Sequence, residues 1–330
     1  MPPKVCIGMM LYNDNPYLRS ALDSLLSQTY RNFKLVISDD CSLDNPTGII
    51  NEYSDADSRI EYFRHTKRIG MVDNYRYTFN SAGDNVVYFA WAAGHDLYDQ
   101  NWLESLVQTL ESNQEAALAY SATKCIDENN ILLRINNTGA NAENITEAKD
   151  IWRLCIYGKH FGDRIYGLFR KEALTKAGVF RKVIFPDRLL IFETALNKKH
   201  IYIADALWSR RFISYRKSQT VIDCQDTDVS KSVVDSHVGY QRKALFVKPP
   251  WYVYFPPLIT HMTAVFWNDV TLSSRHSGKR RTGLLLMLAL VFREIRYLWI
   301  GLSRRVRLKE WLINIGWLKK LYDMMVSARR

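Results

Sequence analysis

The stretch VCIGMMLYNDNPYLRSALDSLLSQTYRNFKLVISDDCSLD, residues 5–44, decides the fold. Val5 to Leu11 is a short apolar run that stops at Asn13, Asp14, Asn15 and Pro16, the pattern of a strand ending in a turn. Leu18, Ala21, Leu22, Leu25 and Leu26 then recur at i, i+3, i+4, i+7 and i+8, which predicts a helix with one buried face. Phe33 to Ser38 reads as a second strand, closed by Asp39 and Asp40. Strand, helix, strand in this order implies a parallel sheet with right-handed crossovers. The carboxyl ends of such strands line the ligand crevice, so acids placed there suggest a site for a nucleotide, a cation and a proton acceptor.

The alternation continues. Ile49 to Tyr53 fits a helix turn, Ile60 to Phe63 a strand and Met71 to Ala82 a helix. Val86 to Ala92 is so continuously apolar that it predicts a central strand buried on both faces. Trp102 to Leu110 restarts helical spacing, and Leu118 to Ala122 is strand-like. Asp96, in VVYFAWAAGHDLYD, and Asp187, in FPDRLLIFETAL, repeat the placement of an acid beside a strand end or a helix start. Asp127 to Asp150 is polar and Asn-rich, a surface loop or hairpin over the acceptor side. Regular structure returns at Ile165 to Arg170, with helices over Lys171 to Ala177 and Arg188 to Asn197 and a strand over Ile201 to Ala204.

Of the 330 residues 47% are apolar and 24% charged, the composition of a packed chain and not a disordered one. Residues 241–330 hold 17 Lys and Arg against 4 acids, a net of +13 against +11 for the whole chain, so the first 240 residues carry −2. The five cysteines are odd in number, with no CxxC or zinc-type spacing, which favours reduced thiols in the cytoplasm. The beginning of the chain does not read as a signal peptide. A boundary is expected within 216–240, giving a catalytic domain over 1–225 and a helical, basic and aromatic extension over 226–330.

That extension has no spanning candidate: GLLLMLALVF is ten residues where about twenty are needed. Leu308, Trp311, Leu312, Ile315, Leu318, Tyr322 and Met325 form one helical stripe, with Lys309, Lys319, Lys320 and Arg330 mostly off it. This suits a helix lying peripherally on an anionic membrane, here the cytosolic face. The alternatives are helices packed on the catalytic domain or a homo-oligomer interface. Nucleic acid is not an expected partner, because the basic residues are interleaved with aliphatic surface.

The succession Tyr12 and Asn13, then Ser24, Gln28, Thr29 and Tyr30, then Asp39, Asp40 and Ser42 resembles the opening of family 2 glycosyltransferases. The family's usual form is a Pro-x-Tyr-Asn-like turn, a helix ending in Ser-x-x-x-Gln-Thr-Tyr and a strand ending in Asp-Asp-x-Ser. Gly70 to Asn74, Asp96 with the helix after it, IYGLFRKEALTKAGVF and PDRLLIFETALNKKHIYIADALWSRR extend the likeness over roughly residues 4–215. It implies a single Rossmann-like α/β nucleotide-diphosphosugar transferase domain with a mostly parallel central sheet. It also implies inverting transfer of a sugar from a nucleotide-sugar donor, a UDP-sugar, to a glycan or lipid-linked glycan acceptor.

The same likeness implies roles. Asp187 matches the base that takes the acceptor proton, although an Asp at a helix start is equally a cap for orphan N–H groups. Tyr12, Asn13, Asp39, Asp40, Asn74 and Asp96 match the donor side, and Arg76 could reach the diphosphate from the helix after Gly70, although an ordinary exposed helix arginine is the stronger reading there. Arg210 and Arg211 suit a phosphate or acceptor clamp, or a solvated face. Trp91 and Tyr98 suit either packing or an acceptor platform. The family's metal motif is commonly Asp-x-Asp-Asp, whereas this chain reads Ala93-Gly94-His95-Asp96. One carboxylate is left with one imidazole, and Mn²⁺ suits that pair better than Mg²⁺. Two other classes stay open: a catalytically silent glycan-binding scaffold, and a nucleotidyltransferase. Against the second stands the turn Tyr12 to Pro16, which contains no Gly for a phosphate loop.

Overall fold

The structure is a computed structural model and describes residues 3–137, 161–183, 185–195, 198–213, 245–248 and 250. In chain order the elements begin with β1 (Val5–Leu11), α1 (Asn15–Leu26), β2 (Phe33–Asp39), α2 (Thr47–Ala56), β3 (Ile60–Arg64), α3 (Met71–Asn80) and β4 (Tyr88–Ala93). There follow β5 (Leu97–Tyr98), α4 (Trp102–Ser112), β6 (Ala116–Ile126), β7 (Leu132–Asn136) and a 3-10 turn (Phe161–Tyr166). The last elements are β8 (Leu168–Arg170), α5 (Lys171–Ala177), α6 (Pro186–Ala195) and β9 (Lys199–Arg211). One sheet runs β3-β2-β1-β4-β8-β6-β9-β5, with β7 paired to β6. β1 to β4 are mutually parallel, β6 and β9 are parallel, and the short β8 is antiparallel to both β4 and β6.

The expected α/β architecture is therefore present, and its strands end together on the side that carries Tyr12, Asp39 and Ala93. The run expected at Val86 to Ala92 is the central strand β4, and all six of its residues are buried. On one face Leu18, Ala21, Leu22 and Leu25 of α1 pack with Trp102, Leu103, Leu106 and Leu110 of α4. On the other, Trp91 is fully buried among Tyr75, Phe89, Phe169 and Phe180, and its Nε1 donates to Tyr75 O at 3.2 Å. Trp91 is a packing residue. Gly8 lets α3 lie close to the sheet, since a Cβ there would sit 2.7 Å from both Thr78 Cβ and Phe89 Cζ.

The Gln-Thr-Tyr signature has a structural use. Gln28 is fully buried at the end of α1; its Nε2 donates to Ser24 O at 3.0 Å and Asp99 O at 2.7 Å, and its Oε1 accepts Leu103 N–H at 2.9 Å. Thr29 adds N–H to Gln100 O at 2.8 Å. The pair pins α1 to the loop that opens α4, directly after Asp96. Gln28→Ala is expected to lower stability by about 2–4 kcal/mol, because it strands buried partners. A denaturant titration with an unchanged midpoint would remove this role.

Three departures from the expected elements have physical reasons. The helix expected from Arg188 begins at Pro186, and Pro is well placed in a first turn, where its missing N–H is not needed. The strand expected at Ile201 to Ala204 extends to Arg211 through register shifts against β6, and these interrupt the period-2 pattern. β5 is two residues long and carries no periodic signal. Among the described residues Cys6, Cys41 and Cys125 are free thiols, and burial pushes Cys6 up to about 12. No helix among the described residues is long and apolar enough to cross a membrane.

The chain divides into a compact unit spanning Met1–Asn268, which holds every described residue, and a second, Asp269–Arg330. The expected boundary at 225, the amphipathic stripe and the rest of the extension lie outside the described residues, save 245–248 and 250. Leu245 and Phe246 are buried, and a Cβ on Gly70 would meet Leu245 O at 3.0 Å. This short piece of the extension thus packs on the catalytic unit.

Candidate functional site

Adjacent carboxylates at the end of β2 have opposite surroundings. Asp39 is fully buried: Arg64 Nη1 donates to its Oδ2 at 2.6 Å, Tyr62 OH to the same oxygen at 3.3 Å, and Ser42 N–H to Oδ1 at 2.8 Å. Asp40 turns toward the loop before α3, accepting Ile69 N–H at 2.6 Å and Gly70 N–H at 3.1 Å, with Arg68 Nε at 3.7 Å. Burial raises the Asp40 carboxyl, opposed by those two N–H groups and by the charges of Arg68 and His65. Cys41, the next residue, has φ 59°, a conformation that is uncommon outside Gly and Asn. It reverses the chain directly after the pair.

Tyr12 and Asn13 lie at the end of β1, beside this turn. The Arg68 guanidinium stacks over the Tyr12 ring at 4.0 Å, so Tyr12, Arg68 and Asp40 border one corner. Asn13 also has a positive φ, 57°, and holds the turn after β2: its N–H donates to Ser42 Oγ at 3.1 Å and its Oδ1 accepts Leu43 N–H at 2.8 Å. Asn74 is buried, its Nδ2 donating to Ser38 O at 3.0 Å and its Oδ1 accepting Ser38 Oγ–H at 2.5 Å. Both ends of its amide thus join α3 to β2. Arg76 is exposed on α3, on the side away from buried Asn74 and Tyr75.

After β4 the chain brings Asp96 and His95 against Asp14. His95 Nδ1 lies 2.9 Å from Asp14 Oδ1, and Nε2 is 3.8 Å from Asp96 Oδ1. Asp14 and Asp96 are both buried. Gly94 makes room for this approach, as a Cβ there would sit 2.6 Å from Leu11 Cδ1 and 3.4 Å from Asp14 Oδ2. Burial raises the Asp96 carboxyl, opposed by His95, by Arg211 N–H at 2.9 Å and by Arg210. Among the described residues no three His, Cys, Asp or Glu side chains converge as a complete metal cage. His95 and Asp96 would offer a divalent ion one imidazole and one carboxylate, and its other ligands would have to come from outside this pair.

Arg211 is buried and braces the site from behind. Its Nε donates to His95 O at 2.8 Å, its Nη1 to Asp127 O at 3.1 Å, and its guanidinium lies over Tyr17 at 4.6 Å. Arg210 pairs with Asp163 at 3.0 Å. Tyr98 is buried, its OH accepting Ala93 N–H at 3.0 Å, so it packs instead of forming a platform. Asp187 is half-buried in the first turn of α6. Burial raises the phenol of Tyr75, whose OH lies 3.2 Å from that of Tyr166, and Tyr166 and the Asp187 charge add to the rise; burial and then the Asp96 charge push Tyr166 up to about 12.

Several site residues were not singled out from the sequence. Arg68, Arg64 and Tyr62 lie in stretches whose charge and aromaticity look like ordinary surface. Asp14 looks like a turn residue before a helix. Its signal was the short Asn-Asp-Asn-Pro run closing the first strand.

An α/β sheet with acids gathered at its strand ends agrees with the comparisons with known proteins. Residues 6–178 match the model of glycosyl transferase family 2. The match covers just over half of the chain, which belongs to that family. It is 33% identical over 136 residues to an uncharacterized glycosyltransferase of Rickettsia felis, covering 40% of this chain and 21% of that protein. It is 24% identical over 210 residues to one of Haemophilus influenzae, covering 63% and 59%. The chain thus spans less than two thirds of the length of these relatives. Among solved structures it is similar in fold to Staphylococcus aureus TarS 1–349 in complex with UDP-GlcNAc, with TM-score 0.58 and 14% identity over 96% of this chain and 80% of that one.

Proposed function

We propose that the chain is an inverting glycosyltransferase that moves a sugar from a nucleotide-sugar donor, a UDP-sugar, to a glycan or lipid-linked glycan acceptor. The observation that carries this reading is the division of labour among the acids. Asp40 sits with Tyr12 and Arg68 in one corner, Asp96 with His95 and Asp14 in a second, and Asp187 is half-buried in the first turn of α6. The family membership and the UDP-GlcNAc complex of TarS support the donor class.

In this reading the nucleobase enters beside Tyr12 and Arg68, and Asp40 accepts a base N–H. Asp187 removes the proton from the acceptor hydroxyl as its oxygen bonds to the anomeric carbon and the diphosphate leaves from the opposite face. Asp96 and His95 would hold a divalent cation, Mn²⁺ or Mg²⁺, whose chemistry is to offset charge on the departing diphosphate. Arg211 keeps the His95–Asp96 turn in place; Asn13 and Asn74 hold the loops.

The two aspartates that close β2, Asp39 within it and Asp40 just after it, are expected to separate experimentally. Asp40→Ala should weaken UDP binding about tenfold or more in calorimetry. Asp39→Ala should instead cost about 1–3 kcal/mol of stability by stranding Tyr62 and Ser42 N–H. Unaltered affinity in both variants would place the nucleotide elsewhere.

A catalytically silent scaffold is the second reading, favoured by Ala93 standing where the family commonly has an acid. The basic, aromatic composition of 241–330 supports peripheral attachment to an anionic membrane. The full chain should co-float with vesicles containing anionic lipid and be released only partly by high salt. Equal flotation with neutral vesicles, or none with either, would contradict this.

A further inference from the structure

Asp14 has no place in the chemistry described so far, yet it is one of the most enclosed carboxylates on the ligand side, 4% exposed. It precedes α1 in the N-cap position but makes no capping hydrogen bond through its side chain. Its Oδ1 instead meets His95 Nδ1 at 2.9 Å, and its Oδ2 accepts Tyr12 N–H at 3.4 Å. Gly94 is the residue that lets it come so near. A buried carboxylate that meets a histidine 81 positions away, at an approach that Gly94 permits, is placed to orient that histidine.

The geometry points to Asp14 as a positioning residue that fixes the ring and the tautomer of His95 for a divalent cation at Asp96. This rests on the proposed donor site. A carboxylate is an acceptor, so the proton between the two groups belongs to His95 Nδ1. In the neutral ring the lone pair then lies on Nε2, the nitrogen that faces Asp96 Oδ1 at 3.8 Å. That separation is too long for a hydrogen bond. A metal-binding histidine is commonly held in this way, with its other N–H on a carboxylate that orients the ring and raises its basicity. A chain with Ala93 in place of an acid thereby recovers a second protein ligand, and the imidazole biases the site toward Mn²⁺ over Mg²⁺.

The test measures Mn²⁺ binding to the full chain with UDP present, by loss of the free-ion paramagnetic resonance signal. The variants are Asp14→Ala, His95→Ala and Asp96→Asn, with UDP affinity in chelator measured alongside. Asp14→Ala should weaken Mn²⁺ about 10–100-fold, approaching His95→Ala, with UDP affinity in chelator kept. Loss in His95→Ala and Asp96→Asn but none in Asp14→Ala would overturn the role of Asp14 and leave the donor site standing. No change in any of the three would overturn both. Should Asp14→Ala fail to fold, nitrogen-15 spectra of His95 in the metal-free wild type decide: the proton is expected on Nδ1, and a proton on Nε2 alone overturns the proposal.

Discussion

Asp187→Asn should lower turnover by about 100-fold or more while leaving donor affinity nearly unchanged, the signature of a lost general base. Asn keeps the size and one acceptor, so the first turn of α6 should persist, and only the capacity to take a proton disappears. A purely structural Asp187 would behave differently: stability would fall and turnover per folded molecule would hold. Single-turnover rates and a thermal melt on the same preparation separate these outcomes. Activity within a few-fold of wild type removes Asp187 from the mechanism.

Asp96→Asn carries the second large effect. The amide oxygen can still accept Arg211 N–H, so the β4 to β5 turn should keep its shape while the negative charge is lost. Transfer is expected to fall by about 100-fold or more, and a chelator should do the same to the wild-type chain, since the diphosphate would leave without a compensating cation. Activity that persists in chelator would mean that Arg or Lys side chains supply the compensation, with Arg68 and Arg210 the first candidates.

The architecture was legible because its core signals are local. The apolar run of β4, the i, i+3, i+4 spacing of α1 and the acids closing β2 are each contained in a few residues, and each element lies where its pattern predicts. What did not show was pairing across the chain. Nothing in the Asp39-Asp40 dipeptide says that Arg64 closes on one and Ile69–Gly70 on the other, because that division depends on the reversal at Cys41 and on where β3 ends. Asp14 and His95 are 81 residues apart and meet only because β1 and β4 are neighbours in the sheet. Motif residues such as Gln28 and Asn74 stand out in sequence as strongly as the acids do, yet they hold loops and helices together.

The central claim is that these strand ends form a working nucleotide-sugar site, and calorimetric titration of UDP and UDP-sugars into the full chain, with Mn²⁺ and with chelator, tests it most directly. The account predicts saturable binding at one site per chain, strengthened by Mn²⁺, weakened in Asp40→Ala and preserved in Asp187→Asn. Absence of binding for every nucleotide and nucleotide sugar tried, in either condition, would contradict it and leave the silent scaffold as the reading of this fold.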